Sequence, residues 1–233
     1  MGIRSGDSHR RKAMTQPDVA LTDYAVALEC IILLIFLPHG GVSAAGLRFW
    51  LTVFLGSICA ASVCGGTVHG FFLDERTLGY AILWPATLLA MGVTALAMWA
   101  IAAKLLCPQW VMRLVLIAGG IQYVLYSVVV LFLIQEFWLA MVNNFPAILF
   151  LMLALGAIYQ REKHWRMLLA VAGPALVLIA AVLQYLRIGV DPLSFDYNAL
   201  YHVLQGVAIL LFFQGVRWLI RAEELPKMAG IEP

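Results

Sequence analysis

Charged residues are scarce in this sequence. Only 12% of its 233 residues are Asp, Glu, Lys or Arg, and 63% are hydrophobic, whereas a soluble domain carries about 25% charged residues. This composition excludes an ordinary soluble enzyme and leaves little room for a separate soluble domain. We therefore predict a multi-pass integral membrane protein of a bacterial inner membrane or an equivalent bilayer.

The sequence also lacks a strong net charge, and its cysteines lack the spacings that are typical of metal-binding or redox-active sites. The net charge is only +2, and the 15 Lys and Arg residues sit at the ends of apolar segments. That distribution fits membrane orientation and argues against a nucleic-acid partner. The four cysteines show no CxxC spacing and mostly fall inside apolar runs, so we interpret them as small buried residues and predict no disulfide framework.

Seven long apolar segments make up most of the chain. Residues 1–20 are predicted to be a mobile polar tail, 21–222 a seven-helix transmembrane domain, and 223–233 a short polar tail. The segments are too long and too uniformly apolar for barrel strands, so the predicted fold is an all-α membrane protein, a bundle of seven transmembrane helices. The predicted helices are approximately Thr22–Pro38, Gly46–Phe72, Thr77–Leu106, Pro108–Ile134, Trp138–Gln160, Trp165–Arg187 and Tyr197–Arg221.

The basic residues favour one orientation of this bundle. Alternating helices place nine Lys and Arg residues on the side of the carboxyl terminus and six on the other. Because cytoplasmic loops carry the excess of Lys and Arg, we expect a cytoplasmic carboxyl terminus, although the basic cluster in the amino-terminal tail argues the other way.

The seventh segment is unusually polar in its first half. Asn198, His202 and Gln205 fall at i, i+4 and i+7, so a helix presents all three on one stripe. Polar side chains inside a membrane normally face the bundle interior or a cavity. We expect the function of the protein to reside beside this stripe.

Polar residues from other segments lie at a similar depth. His69 precedes the end of the second segment, His202 follows the start of the seventh, and Glu29 lies about 10 Å into the first. Such a layer either hydrogen-bonds the helices to one another or lines a pocket, and both interpretations stay open. Its other members are Gln122, Tyr126, Asn143, Asn144, Gln184 and Tyr185.

Glu29 is the member that favours a functional site. An unpaired carboxylate in an apolar interior is costly, and two imidazoles with one carboxylate form a set that suits zinc with an open position for water. His39 belongs near the opposite membrane face, and His9 and His164 are predicted to be solvated.

Two short motifs resemble those of a known superfamily. Tyr197–Gly206, sequence YNALYHVLQG, and Cys64–His69, sequence CGGTVH, are similar to motifs of alkaline ceramidases and of the adiponectin and progestin receptor-like proteins. The resemblance implies seven helices, a zinc site and a hydrolase of lipid amides. His202 and His69 then match two zinc-binding histidines, and Asn198 stands in place of the third.

Other positions extend or depart from that pattern. Glu29 resembles an acid that alkaline ceramidases keep in a calcium site of the first helix. Gly65 and Tyr80 stand where the family has a serine and an acid.

Two functions follow as expectations. In the first, a zinc-dependent hydrolase of a lipid amide or ester uses zinc-bound water, and Glu29, or Asp74 from the following loop, takes its proton. In the second, a non-catalytic lipid-binding protein or a structural subunit of a membrane complex uses the same pocket. Membrane lipids are the expected partners, and the sequence specifies no protein partner. A retinal photoreceptor is excluded because the seventh segment has no lysine in its middle, and a transporter is disfavoured because internal repeats are missing.

Overall fold

The computed structural model describes residues 14–38, 45–191 and 195–222, and that part of the chain is helical with short connections. Seven helices in this part match the seven predicted segments in order. They are α1 Pro17–Ile35, α2 Ala45–Phe71, α3 Leu78–Leu106, α4 Gln109–Phe132, α5 Phe137–Glu162, α6 Trp165–Tyr185 and α7 Tyr197–Ala222.

Six of these helices are long and apolar enough to cross a membrane, namely α2 to α7. The exception, α1, has 19 residues and carries Asp18, Asp23 and Glu29 in every window of 18. The chain is a multi-pass membrane protein, and its first helix is the most acidic.

The first helix begins earlier than the hydropathy predicted. It starts at Pro17, five residues before Thr22, so the end of the predicted mobile tail is helical. Proline at the first helical position and an acid in the first turn are favourable start signals. The backbone N–H groups of Thr15 and Gln16 donate to the carbonyls of Gly70 and His69 at 3.0 and 3.1 Å, which fixes the start of α1 against the end of α2. His9, His39 and the predicted carboxyl-terminal tail lie outside the described residues.

Helices that follow one another pack side by side except for α4 and α5, and in addition α3 contacts α5 and α1 contacts α7. One close approach of α6 to α7 is at Gly173. A Cβ atom there would lie 2.5 Å from the carbonyl oxygen of Ala208 and 2.9 Å from the backbone nitrogen of Phe212. Without hydrophobic driving force inside a bilayer, such small-residue contacts hold helices together. The peripheral helix is α4, of which only Gly119, Tyr126 and Val130 are buried.

The two ends of the bundle differ in charge. Helices α1, α3, α5 and α7 begin at one end, which we call the acidic face, and a hydrogen bond of 3.2 Å from the Asp196 N–H to the Asp18 carboxylate joins two of these starts. At the other end, the basic face, the described residues place eight Arg and Lys side chains and one acid, Glu162. One predicted feature of this face is wrong: His164 is half-buried and stacks on Trp218 with ring centroids 4.2 Å apart.

Candidate functional site

A polar cavity of about 460 Å³ lies beneath the acidic face. Its volume falls within the range of small-molecule sites. All six polar residues that were predicted on α2, α6 and α7 line it, namely His69, Gln184, Tyr185, Asn198, His202 and Gln205. The lining comprises Asp23, Ala61, Ser62, Gly65, His69, Trp84, Thr87, Met91, Glu136, Phe137, Trp138, Met141, Gln184, Tyr185, Arg187, Tyr197, Asn198, Tyr201, His202 and Gln205.

A second cavity of about 370 Å³ continues from the first towards the middle of the membrane. Its walls are almost entirely apolar, with Phe54, Ile58, Met98, Leu151 and Phe212 among them. The two cavities share six lining residues, so they are contiguous. Those six are Ala61, Met91, Met141, Tyr185, Tyr201 and Gln205.

The apolar cavity is open on the side of the bundle between α5 and α6. Four of its lining residues are also strongly exposed on the outer surface: Val142 and Phe145 on α5 are 61% and 51% exposed, and Val182 and Tyr185 on α6 are 56% and 74% exposed. Because these residues lie within membrane-spanning helices, the exposed surface faces lipid. The apolar cavity therefore opens towards the bilayer interior and adjoins the polar cavity beneath the acidic face.

The polar cavity contains a buried acid–imidazole pair. His202 Nε2 of α7 lies 3.5 Å from Asp23 Oδ1 of α1, with side chains 10% and 7% exposed. The other ring nitrogen, Nδ1, lies 3.3 Å from the Thr22 hydroxyl oxygen, and that hydroxyl is within 2.9 Å of the carbonyls of Asp18 and Val19. A hydroxyl that donates to a carbonyl leaves its oxygen as acceptor, so Nδ1 is the donor to Thr22.

That assignment determines what lies between the ring and the acid. With its proton on Nδ1, a neutral ring presents a lone pair at Nε2, and a carboxylate would repel it. A proton carried by the ring or by the carboxyl group removes this repulsion, and at 3.5 Å the two atoms are farther apart than in a usual hydrogen bond. A proton held at a cavity wall is a donor for a bound ligand and is suited to general acid–base chemistry.

The other histidine of the predicted set lies on a different wall of the same cavity. His69 Nδ1 is 2.6 Å from the side-chain oxygen of Gln16, and its ring meets the ring of Trp84 edge to face at 6.3 Å between centroids. His69 is thus held by a residue that precedes α1 and by α3. It lines the same cavity as the Asp23–His202 pair.

Asn198 lies at the start of α7, where its side chain is already engaged. Gln184 of α6 donates through Nε2 to Asn198 Oδ1 at 2.9 Å, and the Asn198 N–H donates to Asp196 Oδ1 at 2.8 Å as part of a helix cap. The side-chain oxygen of Gln184, Oε1, is buried without a hydrogen-bond partner. A buried unpaired acceptor costs about 1–3 kcal/mol, so this cavity offers an acceptor that a ligand donor would satisfy.

The predicted zinc ligands do not assemble. Within the described ranges no group of three His, Cys, Asp or Glu side chains is placed to hold a metal ion. Glu29 lines neither cavity: its Oε2 lies 2.7 Å from the position of a Cβ on Gly206, one turn of α7 deeper than His202, and its Oε1 is buried without a partner. The predicted set of Glu29, His69 and His202 therefore does not form a three-ligand zinc site, because Glu29 lies outside the cavity that both histidines line.

Asp74, the other predicted proton acceptor, is a turn residue. Its side chain is 61% exposed and lies 3.6 Å from the Arg76 guanidinium, and its Oδ1 accepts the Arg76 N–H at 3.0 Å. It does not line the polar cavity.

The remaining predicted pocket residues divide into two groups. Gln205 and Gln184 line the polar cavity, and Asn144 lines the apolar one. Gln122, Tyr126 and Asn143 line neither of these cavities and instead join helices. Gln122 accepts from Trp99 at 3.0 Å and donates to Asn143 at 2.9 Å, and the Tyr126 hydroxyl donates to the Leu88 carbonyl at 2.9 Å.

Sequence reasoning missed Asp23, the acid that does reach His202. The available signal was the Pro17-Asp18 helix start, which moves the helix boundary back by more than one turn and places Asp23 inside the bundle. The rim residues Glu136 and Arg187 were also missed. Glu136 immediately precedes α5 and Arg187 follows the end of α6, and neither belongs to a recognisable sequence motif.

These observations define a helical multi-pass membrane protein with an intramembrane cavity that is polar at one end and apolar at the other. The chain belongs to the family of unknown function DUF6962, whose profile matches residues 19–221. No curated protein and no solved structure matches it. The resemblance to alkaline ceramidases stays a prediction.

Proposed function

We propose that this protein binds a lipid-like amphiphile, with the polar head in the polar cavity and one apolar chain in the apolar cavity. The observation that carries the proposal is the continuity of the two cavities through six shared residues. Along α5 the lining runs from Glu136 to Leu151, about 22 Å at 1.5 Å per residue. An extended molecule with one polar and one apolar end fits this shape. The opening between α5 and α6 gives such a molecule a path from the bilayer.

The lining specifies the chemistry of the head. The unpaired Gln184 Oε1 is an acceptor, and the rim of the cavity carries the acid Glu136 and the base Arg187. Acceptors of this kind bind hydroxyl, amide or amine donors. We therefore propose a head group that donates hydrogen bonds in preference to an anionic one.

The test is lipid extraction from protein purified in a mild detergent, followed by mass spectrometry. Ala181 lines the apolar cavity, and Ala181→Trp fills it. Ala118 lies on the exposed surface of α4, so Ala118→Trp makes the same change in size outside the cavity and is the matched control. The expected result is a lipid class that co-purifies with wild type and Ala118→Trp and is depleted in Ala181→Trp. Equal lipid content in all three proteins would refute the proposal and leave a structural role for the polar residues.

A second candidate, hydrolysis of the bound lipid, is favoured by the Asp23–His202 pair in the cavity wall. In this reaction a water oxygen attacks the carbonyl carbon of an amide or ester while the pair takes the water proton. The same proton then goes to the leaving amine or alcohol as the C–N or C–O bond breaks, which yields a free fatty acid. Because the donor set does not fit zinc, no step is assigned to a metal.

The two candidates separate in one experiment. Purified protein in lipid bilayer discs is incubated with a panel of acyl amides and esters, and fatty acid release is measured for wild type and for His202→Gln. Release by wild type that falls by about a hundredfold or more in His202→Gln, the range expected for loss of an acid–base group, supports hydrolysis. Co-purifying lipid without release supports binding alone.

A further inference from the structure

Three arginines lie close together at the basic face, where α6 begins and α7 ends. They are Arg166 in the first turn of α6 and Arg217 and Arg221 in the last turns of α7, and we refer to them as the arginine cluster. The two helices touch here, since a Cβ on Gly215 would lie 2.7 Å from the Arg166 carbonyl oxygen. Arg217 follows Gly215 by two residues and precedes Arg221 by about one helical turn, so the three arginines flank this contact.

Aromatic rings surround the cluster at this level. His164 stacks on Trp218 with 4.2 Å between centroids and an angle of 12°, and the Arg166 guanidinium lies 5.4 Å from the centre of the Trp165 ring. Tryptophan is enriched at the boundary between the hydrocarbon core and the head groups. The arginine cluster therefore lies at the depth of lipid phosphates.

The cluster lacks a counter-charge among the described residues. The ion pairs in residues 14–38, 45–191 and 195–222 join Arg76 to Asp74 and His202 to Asp23, and neither involves the cluster. Arg217 Nε is buried without a hydrogen-bond partner. Like charges near a low-dielectric region repel strongly. An anion that bridges the arginines removes this repulsion and satisfies the orphan N–H.

We propose that the arginine cluster binds the phosphate of an anionic phospholipid in the leaflet of the basic face. Arginine suits the task because its planar, permanently charged guanidinium donates two parallel hydrogen bonds to phosphate oxygens. The site lies at the opposite face from the Asp23–His202 pair, so it is independent of the proposed function of the cavity.

The experiment is native mass spectrometry of the protein with phosphatidylglycerol or phosphatidylcholine added in equal amounts. Wild type is expected to retain phosphatidylglycerol preferentially, and Arg217→Gln to bind it about tenfold more weakly, the effect of losing one charge-assisted contact. The matched control is Arg113→Gln, which removes the same charge from an exposed position of α4 at the same face and should bind as wild type does. Arg221→Gln serves as a second variant should Arg217→Gln fail to fold.

Three outcomes would overturn the proposal. Equal loss in Arg113→Gln would mean that the whole face attracts anionic lipid without a defined site. Thermal stabilisation by inorganic phosphate, at matched ionic strength and without any preference for phosphatidylglycerol, would assign the cluster to a free anion. Binding that appears only after Glu223→Gln and Glu224→Gln, the residues that follow in the sequence, would assign it to an intramolecular counter-ion.

Discussion

The buried contact between Asp23 and His202 should couple the two residues in stability. Their atoms are 3.5 Å apart and both side chains are at most 10% exposed. Removal of one partner of a buried ion pair in a soluble protein costs about 3–5 kcal/mol, but hydrogen-bond pairs in membrane proteins average about 0.6 and reach about 1.7 kcal/mol, because the unfolded chain in the membrane also finds partners. A distance of 3.5 Å exceeds the 2.7–2.9 Å that is usual for charge-assisted bonds. We therefore expect a coupling free energy between that average and that maximum, about 0.6–1.7 kcal/mol, a factor of about 3–18 in the unfolding equilibrium.

A double-mutant cycle measures this coupling. Asp23→Ala, His202→Ala and the double variant are unfolded from detergent micelles with sodium dodecyl sulfate, with circular dichroism as the readout, so that the effects of truncation cancel and the pairwise contribution remains. Asp74 and Arg76 provide the control cycle. Their atoms are 3.6 Å apart, almost the same distance, but the side chains are 61% and 93% exposed, and an exposed pair contributes little. A coupling between Asp23 and His202 no larger than that between Asp74 and Arg76 would refute the reasoning.

Two glycines give further predictions in the same unfolding assay. Gly173→Ala should destabilise the bundle by about 1–3 kcal/mol, since its Cβ would lie 2.5 Å from the Ala208 carbonyl oxygen of α7. Gly120 has no neighbour within 4 Å, so the control Gly120→Ala should be neutral or slightly stabilising. Equal effects of the two substitutions would contradict the close approach of α6 and α7. Gly206→Ala should also destabilise, because its Cβ would lie 2.7 Å from Glu29 Oε2, and Glu29→Ala in the same chain should restore most of the loss. Additive effects of those two changes would show that Glu29 does not occupy the space at Gly206.

The start of α1 shows where hydropathy fails. The predicted tail ended at residue 20 and the predicted first helix began at Thr22, but Val19 and Ala20 are fully buried and Asp23 is 5% exposed. An acid is tolerated inside a bundle when another helix supplies a partner, and that partner, His202, is 179 residues away in the sequence. Local composition contains no information about such a distant contact.

The polar layer shows a related difficulty. Depth along each helix could be counted from the sequence, and it placed His69 and His202 near the same membrane face, where both line one cavity. The direction in which each side chain points also depends on how each helix is rotated about its axis. Gln122 therefore forms hydrogen bonds with Trp99 and Asn143 between helices, and Glu29 faces Gly206. Gln122, Asn143 and Glu29 belong to the predicted layer, but none of them lines the polar cavity.

The sequence by itself determined the class of protein, because apolar runs of this length can satisfy their backbone in a bilayer only as helices. It also determined the number and order of the helices, and the polar character of the first half of α7. Tertiary structure decided which polar groups meet, because helix rotation and the close approach of α6 to α7 are set by packing between distant segments. It thereby joined Asp23 to His202, separated Glu29 from the histidines, and left a cavity with a polar end and an apolar end.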